Sequence, residues 1–114
     1  MLNFIAMKKT KETLPKWYRH FLKKYPDIAK RYSELGDAVH QWGPLDDKTR
    51  ALVKLAISGT SMQKSAFRSH IYKAKNLGIK REAMEHVALL TLPTLGFPSA
   101  MTLLSIIDKE FSKT

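Results

Sequence analysis

The sequence has no cysteine among its 114 residues. This absence excludes disulfides, zinc–thiolate sites and thiolate nucleophiles. No stretch approaches 18 consecutive apolar residues, so the sequence predicts no transmembrane helix. A chain of this length is typical of one soluble domain with a modest core, and we expect residues 1–114 to form a single domain.

Acidic residues are also scarce. The chain has 20 Lys and Arg against 10 Asp and Glu, a formal net charge of +10. No acidic residue lies between Lys48 and Arg81. This balance favours an anionic partner such as nucleic acid, an acidic membrane surface, or a small carboxylate or phosphate. The alternative is an ordinary solvated basic surface.

Proline and glycine number five each, and most of them fall where helices should begin or end. The chain shows no sustained period-two alternation of the kind that strands need, whereas apolar residues recur at helical spacing throughout. The breaks and caps predicted from these residues are Tyr25-Pro26, Gly43-Pro44, an N-cap at Asp46 or Asp47, an N-cap at Thr60 or Ser61, a C′ glycine at Gly78, and the Gly96-Phe97-Pro98 turn. The sequence therefore predicts an all-α fold of about six helices.

The last two predicted helices are apolar around more than one face, at Val87–Leu95 and Leu103–Ile107. A chain of this size has little interior in which to bury a helix on all sides, so such surface favours an oligomer interface. We therefore expect a homo-oligomer. The alternative is that both helices lie at the centre of one bundle.

The first residues, MLNFIAMKKTK, carry their charges after the short apolar run, which is the reverse of a secretory signal. We expect a cytoplasmic protein with no membrane partner. The aromatic residues at helical spacing in the N-terminal part, such as Trp17 and Trp42, are expected to lie in the core or in an interface.

Several spaced elements together resemble the carboxymuconolactone decarboxylase / alkylhydroperoxidase D-like (AhpD-like) family. They are LDDKTRALVKLA, FRSHIYKAKNLG, IKREAMEHVALL and GFPSA, in this order from Leu45. The resemblance implies an all-α, AhpD-like helical bundle. It also implies self-association into a homotrimer or homohexamer with the active site near a subunit interface. By this resemblance, residues 45–111 are the family-matching core and residues 1–44 an N-terminal helical part.

The peroxidase-type members of the family carry a Cys-x-x-Cys pair just before a histidine and a glutamate one helix earlier. Counted back from His70, the cysteines fall on Gln63 and Ala66, and the glutamate falls on Ala51. Peroxidase activity by a thiolate mechanism is therefore excluded.

The decarboxylase-type members lack the cysteine pair and keep the histidine in a setting like FRSH. The resemblance implies His70 as a catalytic residue that protonates the product of CO2 loss. Arg68, Lys64 or Arg50 would hold the carboxylates of a small anionic substrate, and Ser65 or Ser61 could add a neutral hydrogen bond. Such a protein would be a lyase of the decarboxylase type without a cofactor.

Each of these residues has a simpler alternative. His70 could be a buried histidine bonded to a backbone carbonyl, and the cations could be solvated. His40 and His86 have no partner at metal-ligand spacing, so no metal site is expected. The whole chain could be a catalytically degenerate family member that only binds or assembles. Nucleic-acid binding is a further alternative, but the lack of helix-turn-helix spacing and the family resemblance count against it.

Overall fold

The computed structural model describes residues 15–112, and those residues are helical with no strand. The helices are α1 (Lys16–Lys24), α2 (Pro26–Trp42), α3 (Asp47–Thr60), α4 (Lys64–Asn76), α5 (Arg81–Leu90), α6 (Leu92–Leu95) and α7 (Phe97–Ser112). Because α6 is a single turn, six longer helices make up the described part. The all-α prediction is confirmed. The N-terminal stretch MLNFIAMKKTK, used above to predict localisation, lies outside the described residues.

The chain divides after Pro44 into two compact units. In the first unit, α1 packs against α2 through aromatic rings. The centroid of the Phe21 ring lies 6.1 Å from that of Tyr25 and 6.4 Å from that of Tyr32, which it meets edge to face. Burial, together with the nearby Tyr32, raises the pKa of Tyr18 to about 12. Ala29 is the only buried residue of the two helices.

The second unit is a bundle of α3, α4, α5 and α7. Helix α3 packs against α4 and α5, and α7 packs against α4, α5 and the short α6. The largest fully buried side chains are Leu55, Phe67, Ile71, Met84, Leu103 and Ile107. These come from all four helices, so the unit has one continuous apolar core.

Helix α3 comes unusually close to its neighbours at Gly59. A β-carbon there would lie 3.0 Å from Leu103 Cδ1 and 3.0 Å from Phe67 Cε1. Both of those side chains belong to the core. A glycine at this position therefore lets α3 approach α4 and α7 at the price of weaker helix propensity.

Two of the helix caps predicted from the sequence are present in the structure, and a third is not. Asp46 Oδ1 accepts a hydrogen bond from the Thr49 amide at 2.8 Å, which makes it the N-cap of α3. Gly78, at φ 83°, is the predicted C′ residue of α4. The amide of Ile79 reaches back to the Ala74 carbonyl at 3.0 Å, as in a Schellman motif.

The predicted N-cap at Thr60 or Ser61 is wrong. Helix α3 continues to Thr60, and the Ser61 hydroxyl donates backwards to the Ile57 carbonyl at 2.9 Å. Helix α4 instead begins after Gln63, which has no capping side-chain hydrogen bond. Both hydroxyls have local acceptors in the turn behind them, and these acceptors compete with the capping role.

Some of the apolar residues from which we predicted an oligomer are buried in the core, and others are exposed. Leu103 and Ile107 are in the core, whereas Leu90 of α5 is 60% exposed and Leu95 of α6 is 43% exposed. Some apolar surface therefore remains on this unit. Self-association stays a prediction.

Candidate functional site

His70 lies in the middle of α4, one helical turn after Phe67 and beside Ile71. Phe67 and Ile71 are fully buried, whereas His70 is half-buried. The histidine therefore stands at the edge of the core, where an imidazole can meet both protein and solvent. Ala66, one turn earlier, is also half-buried.

The opposite flank of α4 is bonded to α7. Arg68 Nε lies 3.9 Å from Glu110 Oε2, and Lys75 Nζ donates to the Glu110 carbonyl at 3.3 Å. At 3.6 residues per turn, His70 lies roughly 160° around α4 from Arg68 and roughly 140° from Lys75. His70 therefore lies on a different side of α4 from the two residues that contact Glu110 of α7.

Two cations stand one turn apart on α3. Arg50 and Lys54 are both half-buried and share one side of the helix, as residues at i and i+4 do. Burial is the main cause that lowers the pKa of Lys54, and the positive charge of Arg50 adds to it. Both effects disfavour the charged ammonium, so a nearby anion would relieve them.

The start of α3 holds Arg50 in place. Its Nη1 donates to the Leu45 carbonyl at 2.5 Å, across the first turn of the helix. The Thr49 amide hydrogen bond to Asp46 fixes the same turn, and it is the main cause that lowers the pKa of Asp46. The Arg50 side chain is therefore bonded to the turn that begins α3.

Lys64 and Ser65 are exposed in the first turn of α4. Helical geometry places them roughly 120° and 140° around the axis from His70. Together with Arg68, they lie away from the histidine within one subunit. Their predicted part in substrate binding stays a prediction.

No ionisable side chain stands at Ala51, Gln63 or Ala66. These are the positions at which the peroxidase-type members carry their glutamate and cysteines. Ala51 is partly buried and packs against the core, and Ala66 is half-buried. Gln63 is the exposed N-cap residue of α4. The residue before it, Met62, has φ 56°, a left-handed conformation that costs a non-glycine residue about 1–2 kcal/mol.

Lys54 was not among the residues predicted from the sequence. Its signal is nevertheless present in the stretch ALVKLA, where one cation interrupts an otherwise apolar run. It also follows Ala51 by one helical turn. A cation therefore stands next to the position where peroxidase-type members of the resembled family carry an acid.

Within residues 15–112, no group of three or more His, Cys, Asp or Glu side chains could hold a metal ion. In the same range, no helix has both the length and the apolar character needed to cross a bilayer.

A further cationic feature lies in the first unit. Lys16, Arg19, His20 and Lys23 follow one another at i, i+3, i+4 and i+7 and line a surface depression of about 300 Å³ on α1. Such a strip suits polyanions in general, because phosphate contacts need only positive charge. Nucleic-acid binding was the less favoured alternative from the sequence, and this strip is a feature that would suit it.

Comparison with known proteins agrees with the family resemblance seen in the sequence. Residues 26–109 match the model of the carboxymuconolactone decarboxylase family. The uncharacterized protein MJ0742 of Methanocaldococcus jannaschii is 31% identical over 87 residues, which cover 75% of this chain and 84% of that protein. The chain therefore belongs to the carboxymuconolactone decarboxylase family. The match begins at the start of α2, further towards the N-terminus than the motifs from Leu45 onward.

Proposed function

We propose that this member of the carboxymuconolactone decarboxylase family binds a small organic acid between α3 and α4 and acts on it as a decarboxylase-like lyase. The observation that carries the proposal is the half-buried cation pair Arg50 and Lys54, beside the Ala51 position of α3. Half-buried His70 on the neighbouring helix supplies the group that can donate a proton.

The cation pair favours a carboxylate as ligand. Arg50 can grip a carboxylate with two parallel hydrogen bonds, and Lys54 adds a point charge. A bound anion lowers the free energy of the charged Lys54, which burial and Arg50 both raise. The positive net charge of +10 also steers small anions to the protein.

The chemistry then needs one proton donor. In an unsaturated lactone acid, the bond between the ring carbon and the carboxylate breaks, and its electron pair spreads into the unsaturated lactone carbonyl. CO2 leaves, and the imidazolium of His70 donates its proton to a ring carbon. The cations stabilise the negative charge on the lactone oxygen, and solvent returns the proton to His70.

The first experiment measures CO2 release from a carboxylactone. The wild-type protein should turn it over, and His70→Ala should lower kcat by about 100-fold or more while retaining helix content. His86→Ala is the matched control, since His86 is exposed on α5. Equal rates for wild type and His70→Ala would contradict the catalytic role.

The second experiment measures binding of a small dicarboxylate by calorimetry. Lys54→Met should weaken binding by about tenfold, whereas Lys80→Met, at the exposed start of α5, should leave it unchanged. The affinity of the wild type should fall as the pH rises through the lowered pKa of Lys54, because the ligand prefers the charged ammonium. Equal affinity for both variants would rule out this site.

A second candidate is a family member that binds an acid without converting it. Two observations favour it: Arg68 is paired with Glu110 on α7, and Ala51 carries no acid. In that case a dicarboxylate raises the melting temperature, but a carboxylactone is recovered unchanged. The two experiments above therefore separate this candidate from the lyase.

A further inference from the structure

Helix α1 is cationic along one face. Its sequence KWYRHFLKK contains four basic residues, Lys16, Arg19, Lys23 and Lys24, and no acidic residue. With about 100° of rotation per residue, these four and His20 fall within an arc of roughly 140° around the helix axis. We call these five residues the cationic face of α1. All five are exposed.

The acidic residues of the first unit lie outside this helix. Among residues 15–44 there are six Lys or Arg and three acidic residues, the latter being Asp27, Glu34 and Asp37 of α2. In the sequence, the nearest acidic residue on the other side of α1 is Glu12, which precedes the described residues. The cationic face therefore has no acid on its own helix, and an anionic partner can supply the opposite charge.

The opposite face of α1 is apolar and is covered by α2. Tyr18, Phe21 and Leu22 are half-buried, and the Phe21 ring lies 6.1 Å from that of Tyr25. A helix that binds a membrane surface must lay its apolar face into the lipid. Because α2 already occupies that face, the arrangement favours an anion that approaches the cationic face from solution.

Trp17 stands at the border of the cationic face. It is 76% exposed, and its ring centroid lies 5.0 Å from that of His20. An indole with this exposure adds little to the core and offers a flat surface to a ligand. Single-stranded nucleic acid supplies both complements, because its phosphates pair with cations and its unpaired bases stack on aromatic rings.

We propose that the cationic face of α1, together with Trp17, binds single-stranded nucleic acid, with phosphates against the cations and a base stacked on the indole. Helix α1 precedes residues 26–109, which match the family model. The surface also lies apart in sequence from the α3 and α4 residues of the proposed acid site. The inference therefore goes beyond the proposed lyase and stands independently of it.

Fluorescence anisotropy of a labelled single strand of about 12 nucleotides tests the charges. The wild type should bind with a Kd of about 10 µM or below at about 50 mM salt. Lys16→Gln/Lys23→Gln should weaken binding by about tenfold or more and reduce the salt slope by about 1.4, because each lost phosphate contact removes about 0.7. Helix content by circular dichroism should be unchanged.

Lys80→Gln/Lys109→Gln is the matched control. It removes the same charge from two exposed positions of the second unit and should largely retain the affinity and the salt slope of the wild type. No binding by the wild type at low salt would overturn the proposal. Equal losses for the two double variants would also overturn it, because binding would then follow net charge alone.

Trp17→Ala tests the stacking. It should weaken binding by about fivefold or more without changing the salt slope, since the indole carries no charge. Trp42→Ala is the control, because Trp42 is equally an exposed indole but ends α2. It should bind as the wild type does. Equal affinity for the two variants would contradict the proposed base stacking.

Two further ligands test the choice of a single strand. A duplex of the same sequence should bind more weakly, because its bases are stacked on one another and cannot reach Trp17. Vesicles with about 30% phosphatidylserine should bind weakly and equally well to Trp17→Ala, through charge alone. Duplex binding as tight as that of the single strand, or vesicle binding that depends on Trp17, would overturn the proposal.

Discussion

The two units of this protein differ in how many of their apolar side chains are buried. Residues 45–112 gather theirs into a core in which Phe67, Ile71 and Met84 are fully buried. In α1 and α2 only Ala29 is buried, and Trp42 of α2 is 88% exposed. Among the described residues, the same residue types therefore form a core in one unit and are mostly exposed in the other.

The largest expected effect comes from removing one aromatic side chain from each unit. Phe67→Ala should lower the free energy of unfolding by about 3–5 kcal/mol, because it leaves a cavity between α3, α4 and α7. Trp42→Ala should change the stability of the monomer by no more than about 0.5 kcal/mol. Urea unfolding at several protein concentrations measures both.

The concentration dependence sharpens this comparison. The cost of Phe67→Ala should be the same at every protein concentration. That of Trp42→Ala should grow with concentration, because the predicted self-association would stabilise a wild type with this exposed apolar side chain more than the variant. A large loss for Trp42→Ala in dilute solution would show that Trp42 stabilises the fold of the single chain.

A smaller pair of effects is expected at two helical glycines. Gly59→Ala adds a β-carbon 3.0 Å from Phe67 and Leu103, so overpacking of about 1–3 kcal/mol should exceed the gain in helix propensity of about 1 kcal/mol. Gly36→Ala in α2 meets nothing within 4 Å and should stabilise the chain by about 0.5–1 kcal/mol. Thermal unfolding in dilute solution compares them, and stabilisation by both changes would contradict the close packing at Gly59.

The smallest effect concerns the half-buried Lys54. Its pKa is lowered in the folded state from 10.5, so the unfolded chain binds more protons between the lowered value and 10.5. The stability of the wild type should therefore rise with pH in that window. Lys54→Met should be the more stable protein at pH 7 by less than about 1 kcal/mol, and its advantage should shrink towards pH 10. A pH-independent difference in urea unfolding would contradict the assigned burial.

Most of the helical architecture could be predicted from local signals. Asp46 and Gly78 mark helix ends because each satisfies backbone groups within its own turn. The N-cap predicted at Thr60 or Ser61 was wrong, because a hydroxyl can either accept from the amides of a following helix or donate to the carbonyls of a preceding one. Here both hydroxyls donate to the Ile57 carbonyl. Whether these hydroxyls bond back to α3 or cap α4 depends on where the chain turns. The turn lies at Met62, which has a left-handed conformation, and α4 then packs against α3.

The candidate site was only partly predictable. His70 follows from the family motif, and its half-buried position is compatible with the predicted role. The grouping of Arg68 with His70 came from sequence proximity. Residues at positions i and i+2 of a helix, however, point in directions roughly 160° apart around its axis. Lys54 was missed because the stretch ALVKLA shows a cation within an apolar run but does not show how deeply that lysine is buried.

The sequence by itself determined the helices, the family and the absence of thiol chemistry, because spacing, caps and residue types are local properties. It also showed aromatic residues at helical spacing in the N-terminal part. Only the tertiary structure decided that Phe67 is buried while Trp42 is exposed, and that Arg68 turns to Glu110. Burial and pairing depend on which helices meet, and that follows from packing residues that are distant in the chain.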